Sequence, residues 1–433
     1  MITFYTATLG CKINQYETRS IAEAWAGPGV DAVETEDALS ADVILVNSCA
    51  VTANAVSDLR QTVRRLHRDN PGARIVVTGC AAQVLPEELA DLPGVVRVVK
   101  QEEKGGLLAG PDAPLEPVKP GFAPFSISGY SRARAVVKVQ DGCSHRCTYC
   151  IVPITRGPSV SRPVDEIVAE ARRLFSTGFR ELILSGVNLR HFGRDLDGKP
   201  DFWDLVARLE NEFSPEYGGR ARLRISSVEP GQLTDKALDV LSASRMVAPQ
   251  LHISLQSGDR AVLRRMGRGH YDPAQALDFL KKLSEAWPVL GLGADLLVGF
   301  PGETDQEFEN TMQFCRELPL TYGHVFPYSI RPGTAAARMD GQLEKAVKKE
   351  RAARLRALVR EKKKRFIKRL LDLPHLDVLM QDNEGQGVSE FYAACRLTEV
   401  PDWARPRDLV RVRPVGLDRT VILCEPLSRE EQP

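Results

Sequence analysis

The stretch VQDGCSHRCTYCIVP, residues 139–153, holds three cysteines within eight residues: Cys143, Cys147 and Cys150. A structural zinc site needs four ligands and usually takes them from two paired hooks. His145 lies inside the loop, but ligation together with its close neighbours would be strained. Three thiolates suit a [4Fe–4S] cluster better, because its fourth iron is then left for substrate. A structural zinc loop and a plain ferredoxin-like loop are the alternatives.

A second set of three cysteines follows three apolar runs near the start of the chain. Cys11, Cys49 and Cys80 come directly after residues 2–10, 41–48 and 73–79. Amphipathic stretches lie between the runs, and this alternation predicts a parallel α/β sheet. Ligands bind at the carboxyl edge of such a sheet, so the three thiols are expected to converge there. A single buried cysteine is usually only a small hydrophobe, but three at equivalent positions predict a second [4Fe–4S] site.

A second βα series follows, and it predicts a full or partial (β/α) barrel with its site at the strand ends. Four segments lie at those ends: SGVNLR (185–190), RISSVEP (224–230), HISLQSG (252–258) and GADLLVGFPGET (293–304). Gly299 and Gly302 in the last segment allow close approach of the backbone to a ligand. The predicted ligand-binding side chains are Asn188, Arg224, Ser226, Glu229, His252, Ser254 and Gln256.

The CxxxCxxC spacing, with Tyr149 before the last cysteine, resembles the radical S-adenosylmethionine (SAM) enzymes. The resemblance implies that Cys143, Cys147 and Cys150 hold a catalytic cluster whose open iron binds SAM. It also implies that Tyr149 lies against the adenine, and that the polar side chains at the strand ends bind the ribose and methionine parts of SAM. SAM is then cleaved to methionine and a 5′-deoxyadenosyl radical.

Two clusters of this kind in one chain resemble the methylthiotransferases. The segments that carry the likeness are LGCKINQYETR, VNSCAVT, QDGCSHRCTYCIVP, RISSVEP and YSIRPGTAA. The first of them resembles the branch that modifies N6-threonylcarbamoyladenosine in tRNA. The family implies two [4Fe–4S] clusters, held by the two cysteine sets, with SAM as the other cofactor. It further implies that a methylated sulfur from the second cluster is transferred to C2 of the adenine next to the anticodon.

The expected fold class is α/β with a small all-β end. The predicted segments are an N-terminal methylthiotransferase domain (1–112), a Pro- and Gly-rich linker (113–131), a radical SAM domain with a basic helical tail (132–369) and a β domain (370–433). The last segment resembles TRAM, a small RNA-binding barrel.

The net charge of +1 hides a basic block, since residues 345–369 hold 13 Lys and Arg against two Glu. We expect one or two amphipathic helices there, whose cations contact the phosphates of tRNA. A merely solvated helix face is the alternative. An anticodon-loop adenosine is easily splayed out, which suits chemistry on its base.

Four other functions stay open. Two are methylthiolation of isopentenyladenosine in tRNA and methylthiolation of a ribosomal protein. The others are a non-catalytic iron–sulfur RNA-binding protein and a radical SAM enzyme whose N-terminal cysteines bind zinc.

Nine cysteines in a long chain argue against a disulfide framework. Cys315, Cys395 and Cys424 are expected in the core, and His67, His191, His270, His324 and His375 in surface or structural positions. No signal peptide or membrane span is predicted. The cytoplasm is therefore the expected location. A monomer is the default expectation, and the family resemblance implies a reducing electron donor and a sulfur source as partners.

Overall fold

The computed structural model describes residues 1–115 and 121–432, and these residues form two compact units. Unit 1 comprises Met1–Ser128, Lys138–Arg162 and Ser329–Ala337. Unit 2 comprises Gly129–Val137, Pro163–Tyr328 and Arg338–Pro433. Each unit is therefore assembled from separate stretches of chain. The four consecutive domains remain a prediction.

Unit 1 is built on a parallel sheet in the strand order β2-β1-β3-β4-β5. Its strands are β1 (Ile2–Thr8), β2 (Ala32–Glu34), β3 (Val43–Ser48), β4 (Arg74–Gly79) and β5 (Val95–Val99). Its first helices are α1 (Lys12–Trp25), α2 (Ala53–Asp69), α3 (Cys80–Val84) and α4 (Pro86–Ala90). Every residue of β3 is buried, as expected for the middle of a sheet covered on both faces. The predicted parallel sheet is confirmed.

The rest of unit 1 carries the compact cysteine motif. β6 (Ala135–Asp141) enters unit 1 at Lys138. The loop with the three cysteines follows, and then come α5 (Val152–Arg156) and β7 (Val160–Ser161). β7 pairs antiparallel with the end of β6. The loop is thereby closed at its base by backbone hydrogen bonds.

The predicted linker is partly packed into unit 1. Its residues 116–120 lie outside the described residues. Phe125 and Ile127 are buried, and the Phe125 carbonyl accepts a hydrogen bond of 2.9 Å from the Tyr16 hydroxyl of α1. This part of the segment is therefore anchored, although its Pro- and Gly-rich composition predicted a linker throughout.

Unit 2 contains the (β/α) series. Its strands, besides the start of β6, are β8 (Glu181–Gly186), β9 (Arg222–Ile225), β10 (Gln250–Gln256), β11 (Gly291–Val298) and β12 (Tyr322–Pro327). Its helices are α6 (Val164–Ser176), α7 (Phe202–Tyr217), α8 (Asp235–Ala243), α9 (Arg260–Arg265), α10 (Pro273–Ala286), α11 (Asp305–Glu317) and α12 (Lys345–Leu370).

The strands of this series form a partial barrel. The neighbours are β6-β8-β9 in one sheet and β10-β11-β12 in another. Isolated parallel bridges, Leu223 to Val247 and Val228 to Ile253, continue the arrangement from β9 to β10. Within these sheets β12 is an edge strand. Of the two predicted forms of barrel, the partial one is observed.

The C-terminal strands close into a small barrel in the order β13-β14-β15-β17-β16. They are β13 (Leu376–Met380), β14 (Gln386–Ser389), β15 (Ala394–Leu397), β16 (Leu409–Asp418) and β17 (Val421–Pro426). Alternate residues fill its core, which includes Cys395 and Cys424. The basic block forms a single helix, α12, that leads into this barrel. No helix in residues 1–115 and 121–432 is long and apolar enough to cross a membrane.

Candidate active site

The three N-terminal cysteines lie at the carboxyl ends of three neighbouring strands. Cys11 follows β1 and precedes α1, Cys49 follows β3, and Cys80 follows β4 and begins α3. Because the sheet order is β1-β3-β4, the fold brings the three together as the spacing of the motifs predicts. Burial is the main reason that the pKa of Cys49 rises to about 11, and the nearby Cys80 and Cys11 add to the rise.

Glycines directly before the cysteines make these turns possible. Gly79 has φ +96° and precedes Cys80, and Gly142 has φ +64° and precedes Cys143. Both conformations are costly for residues with a side chain. A Cβ on Gly79 would also overlap the Ser48 carbonyl oxygen, and one on Gly142 would overlap that of Pro158. The Gly-Cys dipeptides thus place thiols where the backbone packs closely.

The compact cysteine loop is held by its own backbone. The Cys143 amide donates to the Gly157 carbonyl at 3.0 Å, and the Cys150 amide donates to the Cys147 carbonyl at 3.0 Å. The His145 amide donates to the Cys143 sulfur at 3.4 Å. All three thiols are partly exposed. The loop therefore offers three accessible sulfurs on a short, closed turn.

A buried cluster of charges in unit 1 adjoins both cysteine sets along the chain. We call it the Glu17 cluster; its members are Glu17, Lys104, Lys138, Asp141 and Arg156. Asp141 lies two residues before Cys143, and Arg156 six residues after Cys150. Sequence reasoning missed this cluster, although an acid and a base flanking the motif were visible.

Each charged side chain of the Glu17 cluster lies next to one of opposite charge. Lys138 Nζ lies 2.6 Å from Glu17 Oε1, and Arg156 Nη1 lies 3.0 Å from the same oxygen. Lys104 Nζ contacts the other oxygen of Glu17. Burial alone would raise the pKa of Glu17, but Arg156, Lys104 and Lys138 hold it well below its usual range. The carboxylate therefore stays ionised in the interior.

Arg156 also reaches the N-terminal cysteine set. Its Nη2 donates to Asn14 Oδ1 at 2.6 Å, and Asn14 Nδ2 donates to the Leu9 and Ser48 carbonyls at 2.9 Å each. Leu9 and Ser48 lie next to the turns that carry Cys11 and Cys49. Burial would lower the pKa of Arg156, but the charges of Asp141 and Glu17 hold it well above its usual value. Arg156, which follows the compact cysteine motif, is thus connected through Asn14 to the turns that carry Cys11 and Cys49.

Arg331 supplies a test of whether an anionic group fits beside Cys49. Its Nη2 donates to the Ala50 carbonyl at 2.6 Å, while its buried Nε has no hydrogen-bond partner in the described part of the chain. Burying a donor unpaired costs about 1–3 kcal/mol. An iron–sulfur cluster bound by thiolates is anionic. It fits this place, because the three thiols can bind its irons and the guanidinium groups of Arg331 and Arg156 can offset its charge.

The strand ends of unit 2 hold most of the predicted SAM contacts. Asn188 follows β8 and accepts from the Arg190 amide at 3.1 Å. Ser226 follows β9, and its buried hydroxyl has no hydrogen-bond partner among the described residues. Ser254 and Gln256 lie at the end of β10, and Gln256 has φ +67°. Strained backbone of this kind clusters at functional sites.

Glu229 follows β9 and is surrounded by cations of unit 2. Its carboxylate contacts Arg190 and Arg268, each at 3.3 Å, and His270 Nε2 at 2.9 Å. The carboxylate is 4% exposed, so these groups hold it in a fixed place. His270 was expected in a surface or structural position, and in the structure it contacts the carboxylate of Glu229, one of the predicted SAM-binding residues.

Arg224 is a correction to the predicted SAM contacts. It lies in β9 and is buried, and its guanidinium bonds Glu181, Gln250 and the backbone carbonyls of Ser389 and Glu390. Those carbonyls belong to the C-terminal barrel. Because these bonds occupy the guanidinium, Arg224 joins the two barrels of unit 2 and is not available to SAM. Sequence position at a strand end does not tell which end of the strand a long side chain reaches.

His252 belongs to a hydrogen-bonded chain on adjacent strands of unit 2. Its Nδ1 is 3.1 Å from the Tyr322 hydroxyl, and its Nε2 is 3.1 Å from Asp295 Oδ1. His324 Nδ1 is 3.0 Å from the same oxygen. Burial would raise the pKa of Asp295, but its bonds to His252 and His324 hold it well below the usual range. Sequence reasoning chose only His252 from this set.

Tyr322 reaches across β11 because Gly293 lacks a side chain. A Cβ at Gly293 would overlap the Tyr322 ring. The Tyr322 hydroxyl also accepts from Gln250 Nε2 at 2.7 Å. Burial raises the pKa of this phenol, so it remains a neutral hydrogen-bonding group at physiological pH.

Comparison with protein families matches two regions of the chain. Residues 3–100 match a family described as uncharacterized protein family UPF0004, and residues 137–315 match the radical SAM superfamily. A threonylcarbamoyladenosine tRNA methylthiotransferase (MtaB) of Bacillus subtilis is 38% identical, and the match covers 83% of this chain and 80% of the relative. The chain belongs to the radical SAM methylthiotransferase family. It is a transferase that uses SAM and carries two [4Fe–4S] clusters.

Other relatives support this assignment, and a solved structure shares the fold. The corresponding MtaB enzyme of Rickettsia prowazekii is 37% identical over 81% of both chains. A tRNA-2-methylthio-N(6)-dimethylallyladenosine synthase of Sphingopyxis alaskensis is 34% identical over 84% of this chain and 83% of the relative. The radical SAM methyltransferase TsrM of Kitasatospora setae has the same fold at 14% identity, with a TM-score of 0.58 over 78% of this methylthiotransferase and 75% of TsrM.

Proposed function

We propose that this methylthiotransferase attaches a methylthio group to C2 of N6-threonylcarbamoyladenosine, next to the anticodon of tRNA. The observation that carries the proposal is 38% identity, over 83% of this chain, to a relative named for that nucleoside. Four further relatives of the same name are 32–37% identical. Two sets of three cysteines at loop and strand ends support the chemistry.

Each cysteine set is assigned one cluster in this proposal. Cys143, Cys147 and Cys150 hold the catalytic cluster, and Cys11, Cys49 and Cys80 hold the second one. When bound, the first cluster supplies the electron that cleaves SAM, and the second supplies the sulfur. Cys315, Cys395 and Cys424 take no part in this proposal, because Cys315 lies in α11 away from the strand ends, and Cys395 and Cys424 lie together in the core of the C-terminal barrel.

The protein's own residues orient SAM and keep the second cluster in place. Tyr149 stacks on the adenine of SAM, and the strand-end side chains bind the rest of the molecule: Asn188, Ser226, Glu229, His252, Ser254 and Gln256. The unpaired Ser226 hydroxyl is the clearest support, since a buried hydroxyl is normally bonded. In unit 1, the Glu17 cluster fixes Arg156, and Arg156 fixes the turns around Cys11 and Cys49 through Asn14.

The same proposal covers the partners. The substrate is the anticodon loop of tRNA, and the enzyme takes electrons from a reducing donor and sulfur from a separate source. The enzyme works in the cytoplasm as a monomer. The predicted segments 1–112, 132–369 and 370–433 correspond to the methylthiotransferase, radical SAM and TRAM-like regions, with 113–131 between the first two.

Mass spectrometry of tRNA nucleosides tests the proposal. We expect 2-methylthio-N6-threonylcarbamoyladenosine to vanish from a deletion strain and to return with the intact gene. A gene carrying Cys49→Ala serves as the matched control, and it is not expected to restore the nucleoside. Loss of the 2-methylthio-isopentenyl nucleoside instead would overturn the choice of substrate. No change in any tRNA nucleoside would overturn the tRNA claim altogether.

A further inference from the structure

Unit 2 contains a cavity of about 870 Å³ that no step of the proposed chemistry uses. One wall is the edge strand β12, a second is one face of α12, and a third is the turn before β15. We call it the β12–α12 groove. Its lining contains aromatic and basic side chains but no carboxylate within the described residues. That composition points to an anionic ligand with flat groups.

Aromatic rings follow one another along the β12 wall. Tyr322, His324 and Phe326 are alternate residues and so share one face of the strand. Their ring centroids are 6.0 Å apart from Tyr322 to His324, and 6.2 Å apart from His324 to Phe326. Tyr392 continues the row, 5.3 Å from Tyr322. Phe326 is 44% exposed, which is unusual for a large apolar ring and leaves it open to stacking.

A row of cations faces these rings from α12. Arg356, Arg360 and Lys363 are spaced four and three residues apart, so they lie on one face of the helix. The step from Arg356 to Arg360 is about 6 Å along the axis. Neither Arg360 nor Lys363 has a hydrogen-bond or ion-pair partner in the described part of the chain. Their charges are therefore available to a ligand.

Three other cations of α12 are held by partners elsewhere in unit 2. Arg351 pairs with Glu303 and Asp305 at 2.7 and 2.6 Å, and Lys362 donates to two carbonyls of the α11 end at 2.6 Å each. Arg354 pairs with Glu309. Some cations of the helix thus hold it against the partial barrel, while Arg360 and Lys363 face the groove.

We propose that the β12–α12 groove binds a single-stranded segment of RNA, with bases stacked on the aromatic row and phosphates on Arg360 and Lys363. Single strands are recognised in this way, by aromatic platforms beside basic tracks. The proposal rests on the proposed function only in taking the RNA to be tRNA. An acidic protein, such as an electron donor, would use the cations but would leave the exposed rings without a role.

The test is binding of a fluorescent anticodon stem-loop RNA to the holoenzyme, followed by anisotropy at several salt concentrations. Phe326→Ala is expected to weaken binding by a factor of about 5 to 150, since a stacked base contributes ~1–3 kcal/mol. Arg360→Gln with Lys363→Gln is expected to lower the slope of log affinity against log salt by about 1.4, or ~0.7 per phosphate contact. Lys349→Gln with Lys364→Gln is the matched control, because both are exposed on α12 outside the groove.

The outcomes separate this inference from the proposed function. Release of 5′-deoxyadenosine from SAM without RNA reports folding and is expected to be unchanged in all variants. Unchanged affinity in Phe326→Ala, or an equal loss in the control pair, would overturn the groove as an RNA site. Full RNA affinity with slower reduction of the clusters would overturn it in favour of an acidic protein. Nucleoside mass spectrometry decides the proposed function independently of any of these results.

Discussion

Arg156 and Glu17 are 139 residues apart in the chain and form a buried ion pair in unit 1, with Arg156 Nη1 3.0 Å from Glu17 Oε1. Their side chains are 3% and 0% exposed. A charge buried this deeply is stable only with its partners, and Arg156 has three: Glu17, Asp141 and Asn14. The pair thus connects α5, which follows the compact cysteine motif, to α1, which begins after Cys11.

Arg156→Met is expected to destabilise the protein by ~3–5 kcal/mol, because it leaves carboxylates buried with fewer partners. Urea unfolding followed by circular dichroism measures the change. Arg64→Met is the control, since Arg64 is exposed on α2 and has no ion pair among the described residues. Equal stability of the two variants would contradict the role given to Arg156.

Single cysteine replacements are expected to separate the two halves of the reaction. Cys143→Ala removes a sulfur of the catalytic set, so release of 5′-deoxyadenosine from SAM should be abolished. Cys49→Ala should keep that release but lose methylthiolation of tRNA. Liquid chromatography with mass spectrometry follows both products in one sample. If a folded Cys49→Ala protein loses both activities equally, the division between the sets is wrong.

Gly79→Ala is expected to lower the free energy of unfolding by more than backbone strain alone would. The left-handed conformation costs a residue with a side chain roughly 1–2 kcal/mol, and the overlap with Ser48 adds about 1–3 kcal/mol of overpacking. Gly178→Ala is the matched control, because Gly178 has φ +91° but no atom within 4 Å of an added Cβ. Urea unfolding gives the difference in stability, and iron per chain reports the effect on Cys80. A cost no larger than that of Gly178→Ala would contradict the close packing.

Glu390 is expected to make the stability of unit 2 depend on pH. Burial, together with the charge of Asp377, raises its pKa from 4.5 to about 7. Between these values the folded state binds a proton that the unfolded state has released, so the free energy of unfolding falls as pH rises from 4.5 to 7. Because a glutamine side chain does not titrate, Glu390→Gln should remove this loss of stability at higher pH.

Urea unfolding at pH about 5, near the lower end of that interval, and at pH about 8, above its upper end, tests the expectation. Glu390→Gln should be more stable than the natural protein at the higher pH, and its advantage should shrink at the lower pH. Glu399→Gln is the control, because Glu399 is exposed in the same barrel region. The same advantage at both values would show that the carboxyl group is not the cause.

The cysteine sets could be predicted from the sequence because their signals are local. Apolar runs mark β1, β3 and β4, and the residue after each run is placed by the geometry of a parallel sheet. The Gly before Cys80 marks a turn in the same way. The compact motif needs no tertiary information at all, since its spacing alone places the three thiols within one loop.

Long-range pairing could not be predicted in this way. The chain contains 58 Lys and Arg, and nothing local tells which of them meets Glu17 or Glu181 in the interior. Arg224 was therefore placed with the SAM contacts, while its guanidinium in fact bonds the C-terminal barrel. His324 was expected in a surface or structural position for the same reason, because its hydrogen bond to Asp295 depends on the register of β11 and β12.

Arg331 contacts the Ala50 carbonyl from a segment, Ser329–Ala337, that completes unit 1 late in the chain. During synthesis at roughly 5–20 residues per second, that segment follows Arg156 by about ten to thirty seconds. The contact to the Ala50 carbonyl can therefore form only after about three quarters of the polypeptide has been made. Unit 1 can accordingly reach its full set of contacts only late in synthesis, although its five sheet strands all lie within the first 99 residues.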